Sequence, residues 1–168
     1  MLELSFAFRD SLVVPGAPPE RAFALLQDVP DSLAHFPKLD VLRRLPDGSW
    51  RWEMNKIGLG RFSVQVAYGV RYTHHEDERR ISWEPVPGAG NAAARGTWTL
   101  EPAGSGTRMI LENRLDVRFE RLPGVVRRVV EPLAALENRA LIRAYMDNLG
   151  RTLGGRDGRL RPRWPVDY

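Results

Sequence analysis

The stretch Phe62-Ser63-Val64-Gln65-Val66-Ala67-Tyr68-Gly69-Val70-Arg71-Tyr72 decides the fold, because its large apolar residues fall on every second position. A strict period of two sets one face of a β-strand against a core and the other against water. The same period extends outward on both sides. Trp50, Trp52 and Met54 alternate with Arg51, Glu53 and Asn55, and Ile81 with Trp83, Trp98 with Leu100, and Met109, Leu111, Leu115 and Val117 continue the series. Between these runs lie turn signals at Pro46-Asp47-Gly48, Gly58-Leu59-Gly60, Glu76-Asp77-Glu78, Pro85 to Gly90 and Gly104-Ser105-Gly106. Residues 39–120 therefore read as an antiparallel meander of six strands with one apolar face.

A seventh strand precedes the meander. Leu4, Phe6, Phe8, Leu12 and Val14 share one parity, and Asp10 breaks the pattern on the apolar side. A bulge or strand edge at Asp10 is the expectation, with an inward carboxylate as the alternative. Pro15-Gly16-Ala17-Pro18-Pro19 ends the strand, and Pro19-Glu20 suits the first turn of a helix over 19–28. Asp28-Val29-Pro30-Asp31-Ser32 closes that helix and opens a shorter helical turn through Leu33, Ala34, His35 and Phe36.

So broad an apolar face must be covered. The closing segment offers the cover: at 100° per residue, Ala134, Leu141, Ile142, Tyr145, Leu149 and Leu153 form one stripe, with Asn138 among them. Pro132 is expected to end or bend the valine-rich piece 125–130 before it, since proline inside a helix costs about 3 kcal/mol or more. The gripping helix is thus expected over 132–153, with the valines as a lid or rim. The fold class is α+β: a helix-grip arrangement of about seven antiparallel strands around a C-terminal helix, one domain over residues 1–153 and a basic tail over 154–168.

Composition narrows the function. At 168 residues the chain is long enough to bury roughly two-thirds of its unfolded surface. It is 43% hydrophobic and has no apolar run near the ~20 residues that span a bilayer. The absence of cysteine removes disulfides, thiolate metal sites and cysteine nucleophiles. The N-terminus carries no export signal, so a cytoplasmic location is expected. The net charge of +4 suggests anionic partners, but in the body arginines alternate with acids, as in Glu76-Asp77-Glu78-Arg79-Arg80, and no specific nucleic-acid site is expected. Only the tail, with Arg156, Arg159, Arg161 and Arg163, is one-sided. Self-packing, a homodimer through the tail or a transient contact with a membrane surface are the expectations for it.

The segment Ser11 to Pro30, with Ala17-Pro18 before a hydrophobic helix that ends at Asp28, resembles the opening of the START-like superfamily, the polyketide cyclase and lipid-transport group also described as Bet v 1-like. His35-Phe36-Pro37, Gly96-Thr97-Trp98-Thr99-Leu100 before the turn at 104–107, and the terminal helix extend the similarity over about residues 4–153. The resemblance implies a cavity between sheet and helix that holds a lipid, sterol, quinone or polyketide-like molecule, and some members are enzymes.

No catalytic motif accompanies it. His35, His74 and His75 lack metal-ligand spacing, Gly58-Leu59-Gly60 and Gly88-Ala89-Gly90 read as turns, and no nucleophile elbow or phosphate loop is present. No metal and no cofactor are expected. Instead, Asn113, Asn138, Tyr68, Tyr72 and Tyr145 fall on faces that should be buried, where an amide or phenol needs a partner. With Trp52, Trp83, Trp98, Leu141 and Ile142 they are the expected ligand-binding residues, a few polar anchors in an apolar pocket. The reading is a binder or carrier of a hydrophobic small molecule. A cyclase or aromatase that uses Glu137 or Asp10 is the alternative, and a protein-interaction module with a filled cavity is the third.

Overall fold

The computed structural model describes residues 2–55, 65–120 and 127–155, without the side chains of residues 127, 129 and 130. Seven strands form one sheet: β1 (Leu2–Val14), β2 (Leu39–Arg44), β3 (Trp50–Met54), β4 (Ala67–His75), β5 (Arg80–Val86), β6 (Ala92–Ala103) and β7 (Gly106–Phe119). Their order is β1-β7-β6-β5-β4-β3-β2, antiparallel throughout, so each neighbour in sequence from β2 to β7 is a neighbour in space and β1 closes the far edge. Two short helices, α1 (Pro19–Gln27) and α2 (Val29–Leu33), follow β1, and α3 (Arg127–Leu153) ends the described chain. This is the α+β helix-grip fold.

Local chemistry places the short helices. Pro19 and Pro30 each stand in a first turn, where a missing N–H leaves nothing unpaired. The Asp28 carboxylate caps α2 by accepting from the Asp31 N–H at 3.0 Å. His35 then ties the end of α2 down: its Nδ1–H donates to the Asp31 carbonyl at 2.8 Å, and Nε2 meets Thr152 Oγ1 of α3 at 2.8 Å. The ring is buried, and it acts as a joint between two helices.

Two expectations are corrected. β1 pairs with β7 in unbroken register from Leu2↔Phe119 to Val14↔Thr107, so there is no bulge at Asp10. Its carboxylate lies on the inward parity and accepts from Arg143 of α3 at 2.6 Å, so a distant cation satisfies it. Pro132 does not begin α3 either: the helix runs through it from Arg127. Pro132 and Arg128, four residues before it, are both exposed, so the carbonyl that loses its helical partner can turn to water. Gly58 to Gly60, Phe62, Val64, Val125, Val126 and the arginine-rich tail lie outside the described residues.

The core sits between the sheet and the second half of α3. Met146 and Leu149 are fully buried, each worth about 1.5–3 kcal/mol of burial. Gly150 brings this half of the helix close to β1, where any side chain at 150 would run into Leu12. The first half is different: Leu133 and Leu136 are 61% and 67% exposed.

Candidate functional site

Sheet and helix do not close on each other completely. They enclose a cavity of about 180 Å³, against about 10–15 Å³ for one water, so the interior is not filled by side chains. All ten residues expected to bind a ligand border this one space. Trp52, Tyr68, Tyr72, Trp83, Trp98 and Asn113 reach it from the sheet, and Asn138, Leu141, Ile142 and Tyr145 from α3. Alternation in the strands and the 3.6-residue period of the helix bring them to facing walls.

Aromatic rings line much of the wall and touch in sequence. Tyr68 stacks on Trp52 with centroids 5.4 Å apart, Trp52 meets Phe36 edge-on at 5.5 Å, Phe36 meets Tyr145 at 5.3 Å, and Tyr145 meets Trp98 at 6.1 Å. Such offset and edge contacts suit the ring quadrupoles. Tyr72 and Trp83 form a further pair at 6.0 Å.

The polar groups divide into satisfied and open ones. The Tyr145 hydroxyl shares a 2.6 Å hydrogen bond with Ser32 of α2. Trp52 Nε1 is the buried side-chain polar atom that, among the described residues, lacks a well-aligned partner; its N–H stands beside the Tyr72 hydroxyl oxygen and pulls weakly against the rise of that phenol's pKa. The Tyr68 hydroxyl and the amides of Asn113 and Asn138 border the cavity without a hydrogen-bond partner among the described residues, and the Tyr72 hydroxyl has the Trp52 N–H beside it. Burial pushes all three phenols up: Tyr145 to about 12, with Ser32 and Trp98 pulling weakly the other way, and Tyr68 and Tyr72 also upward. For Tyr72 the neighbouring Tyr145 and Tyr68 add to that rise. All three therefore stay neutral hydrogen-bonding groups at neutral pH.

Charge enters only at the rim. Glu137 is the one charged residue among the described lining residues, and it accepts from Lys38 Nζ at 2.6 Å. Lys38 has a φ of 60°, an uncommon conformation for a non-glycine residue. Asp10, the other acid singled out, lies outside the cavity wall in its pair with Arg143. His74 and His75 also lie away from it, and among the described residues no group of three acids or histidines could hold a metal.

Sequence reasoning missed Ser32 and Phe36. Their signal was present: Val29, Ser32, Leu33 and Phe36 follow the i, i+3, i+4, i+7 pattern of one helix face, which turns Ser32 inward with its apolar neighbours. Ala94 was missed as well, because a small residue marks an empty volume only once its surroundings are known.

With fold and cavity described, the chain can be placed. It belongs to the polyketide cyclase / dehydrase and lipid transport family, whose model matches residues 5–154. Solved structures share the fold at low identity. A protein from Thermus thermophilus is 20% identical, with a TM-score of 0.64 over 85% of this chain and 96% of that one. A conserved protein from Geobacillus kaustophilus is 13% identical, with a TM-score of 0.62 over 92% and 96%. The Zhui aromatase/cyclase from a Streptomyces species is 14% identical, with a TM-score of 0.61 over 90% and 96%. No curated protein matches the sequence significantly.

Proposed function

We propose that the protein binds or carries a hydrophobic small molecule in the cavity between sheet and α3, with no catalysis required. The observation that carries this reading is an apolar cavity of about 180 Å³ whose walls also present hydroxyls and amides. Burial of apolar ligand surface, at roughly 25 cal/mol per Å², supplies affinity, and the open polar groups supply orientation. The family's lipid-transport and cyclase members support the same use of the space.

The test is a titration with the neutral fluorophore N-phenyl-1-naphthylamine, followed by emission gain and tryptophan quenching. Saturable binding is expected, and Ala94→Trp, which fills the cavity from a buried wall position, should weaken it at least tenfold while the circular dichroism spectrum is kept. A probe that fails to bind, or binds the filled variant equally, overturns the reading. Organic extraction of protein purified from its own host should then release the natural guest.

The similarity in fold to the Zhui aromatase/cyclase and the presence of Glu137 at the rim support a second reading, an enzyme in which that carboxylate moves a proton. Turnover of a bound guest that is lost in Glu137→Gln would favour it.

A further inference from the structure

β1 stands at an edge of the sheet. It pairs with β7 on one side, and on the other none of its backbone groups bonds to a described residue. Its 13 residues hold one unbroken register with neither proline nor bulge, so the free side is a long row of unpaired N–H and C=O groups, the kind that templates a further strand.

α3 screens part of this edge. Arg143 pairs with Asp10 at 2.6 Å, and Gly150 lies against Leu12, so the helix meets β1 from Asp10 onward. Leu136 precedes Arg143 by seven residues, as Arg143 precedes Gly150, which puts all three on one side of the helix. Ala134 packs on the cluster of Leu2, Leu4 and Phe6, and that contact sets Leu133 and Leu136 beside the first half of β1. Both leucines are nevertheless more than half exposed.

The stretch left open is self-complementary in charge. In an antiparallel pair of two copies centred on Phe6, Glu3 of one copy stands opposite Arg9 of the other, and two-fold symmetry repeats the match. Within one chain Glu3 already faces Arg118 at 3.5 Å, and Arg9 faces Glu112 at 3.1 Å. Across the four strands of the joined sheet the row would read Arg118, Glu3, Arg9, Glu112, alternating in sign throughout. Pairs centred on Ser5 or Ala7 set Glu3 against Ala7 or Ser11 and lose the match. Centred on Phe6, the pairing spans Leu2 to Asp10 and ends where α3 reaches β1; the Asp10 carboxylate is already held by Arg143.

We propose that the free edge of β1 is the interface of a homodimer, in which two copies join antiparallel about Phe6 with Leu133 and Leu136 of each packed beside the seam. The partner is a second copy of this chain, and the interface does not depend on what the cavity holds.

The test is sedimentation of the full chain at tens of micromolar, where a particle of twice the 19.1 kDa chain mass is expected. Glu3→Arg and Arg9→Glu each set like charges across the seam at two places, and each should weaken dimerisation about tenfold or more. Mixed in equal amounts, the two variants should dimerise again, because only their heterodimer restores both pairs. Leu136→Lys should weaken dimerisation by a similar factor. All three side chains are more than half exposed, so the circular dichroism spectrum should be kept.

A wild-type chain that sediments as a monomer at this concentration overturns the proposal, whatever the variants do. So does a dimer that both charge variants leave intact, which would lie on another surface, or a mixture of the two that stays monomeric.

Discussion

The hydroxyl of Tyr145 on α3 and the hydroxyl of Ser32 on α2 meet at 2.6 Å, both in buried residues, across 113 positions of sequence. This bond fixes the orientation of a ring that touches both Phe36 and Trp98, and so sets part of the cavity wall. Tyr145→Phe removes one partner and leaves the Ser32 hydroxyl buried without it. The expected loss is about 1–2 kcal/mol of unfolding free energy in urea. Ser32→Ala combined with Tyr145→Phe should cost less than the two single changes added together, and strict additivity would mean that the bond contributes nothing.

Gly96→Ala tests the pairing of Gly96 in β6 with Trp83 in β5. A methyl group there would run into both the Trp83 ring and the Glu112 carbonyl, one a side chain and the other backbone, so the strand itself must shift. Destabilisation of about 1–3 kcal/mol is expected, together with a changed tryptophan emission maximum as Trp83 moves. A midpoint of denaturation and an emission spectrum both equal to wild type would contradict the packing described.

Alkaline titration should separate the buried phenols from solvent. Burial raises the folded-state pKa of Tyr68, Tyr72 and Tyr145 above their ordinary value of 10.0. For a group raised in the folded state, the stabilising contribution is complete below the unfolded pKa and is lost as pH climbs from about 10 through the folded value. Absorbance at 295 nm should therefore find three of the four tyrosines still protonated at pH 11 in folded protein, and their ionisation should coincide with unfolding at higher pH. Early ionisation of two or more would contradict the burial of these phenols.

Asp10 makes the opposite prediction in acid. The Ser11 N–H lowers its pKa most, Arg143 lowers it further, and desolvation opposes both. A carboxylate depressed in the folded state contributes stability that is present above its unfolded pKa near 3.8 and is lost as pH falls through the lower folded value. The pair is about two-fifths exposed, so the effect is small. The difference in urea midpoint between wild type and Asp10→Asn should be steady from pH 7 to pH 5 and shrink below about pH 4.

Hydrogen exchange should divide α3. The buried residues Ile142, Tyr145, Met146, Leu149 and Leu153 all lie in its second half, and exposed Leu133 and Leu136 lie in its first. Amides of residues 142–153 should exchange at least tenfold more slowly than those of residues 130–138, as read by mass spectrometry of peptic fragments. Uniform protection would mean that the two halves are held equally.

What was legible in the sequence followed from local periodicity. Alternation in β4 and β7 placed Tyr68, Tyr72 and Asn113 on the inner face, and the helical stripe placed Asn138 and Tyr145 opposite them. What escaped depended on partners far along the chain. Asp10 on an apolar parity suggested a bulge because Arg143 is 133 residues away. Pro132 suggested a helix start because its cost depends on whether the freed carbonyl at residue 128 reaches water, and that depends on how the helix is docked. Ser32 lies in a helix only five residues long, too short to separate from its flanking turns.

Gly150 lets α3 seat against Leu12 at one end, while the Lys38 to Glu137 ion pair restrains the helix near the other. In mechanical terms α3 is a beam clamped at its C-terminal root and held by one ion pair toward its other end. The fully buried residues of the helix lie near the root, and toward the other end Ala134 alone of its described apolar residues packs on the cluster of Leu2, Leu4, Phe6 and Val117. The ion pair at that end is half-exposed, so salt screens it and ionic strength acts on how firmly the first half of the helix is held.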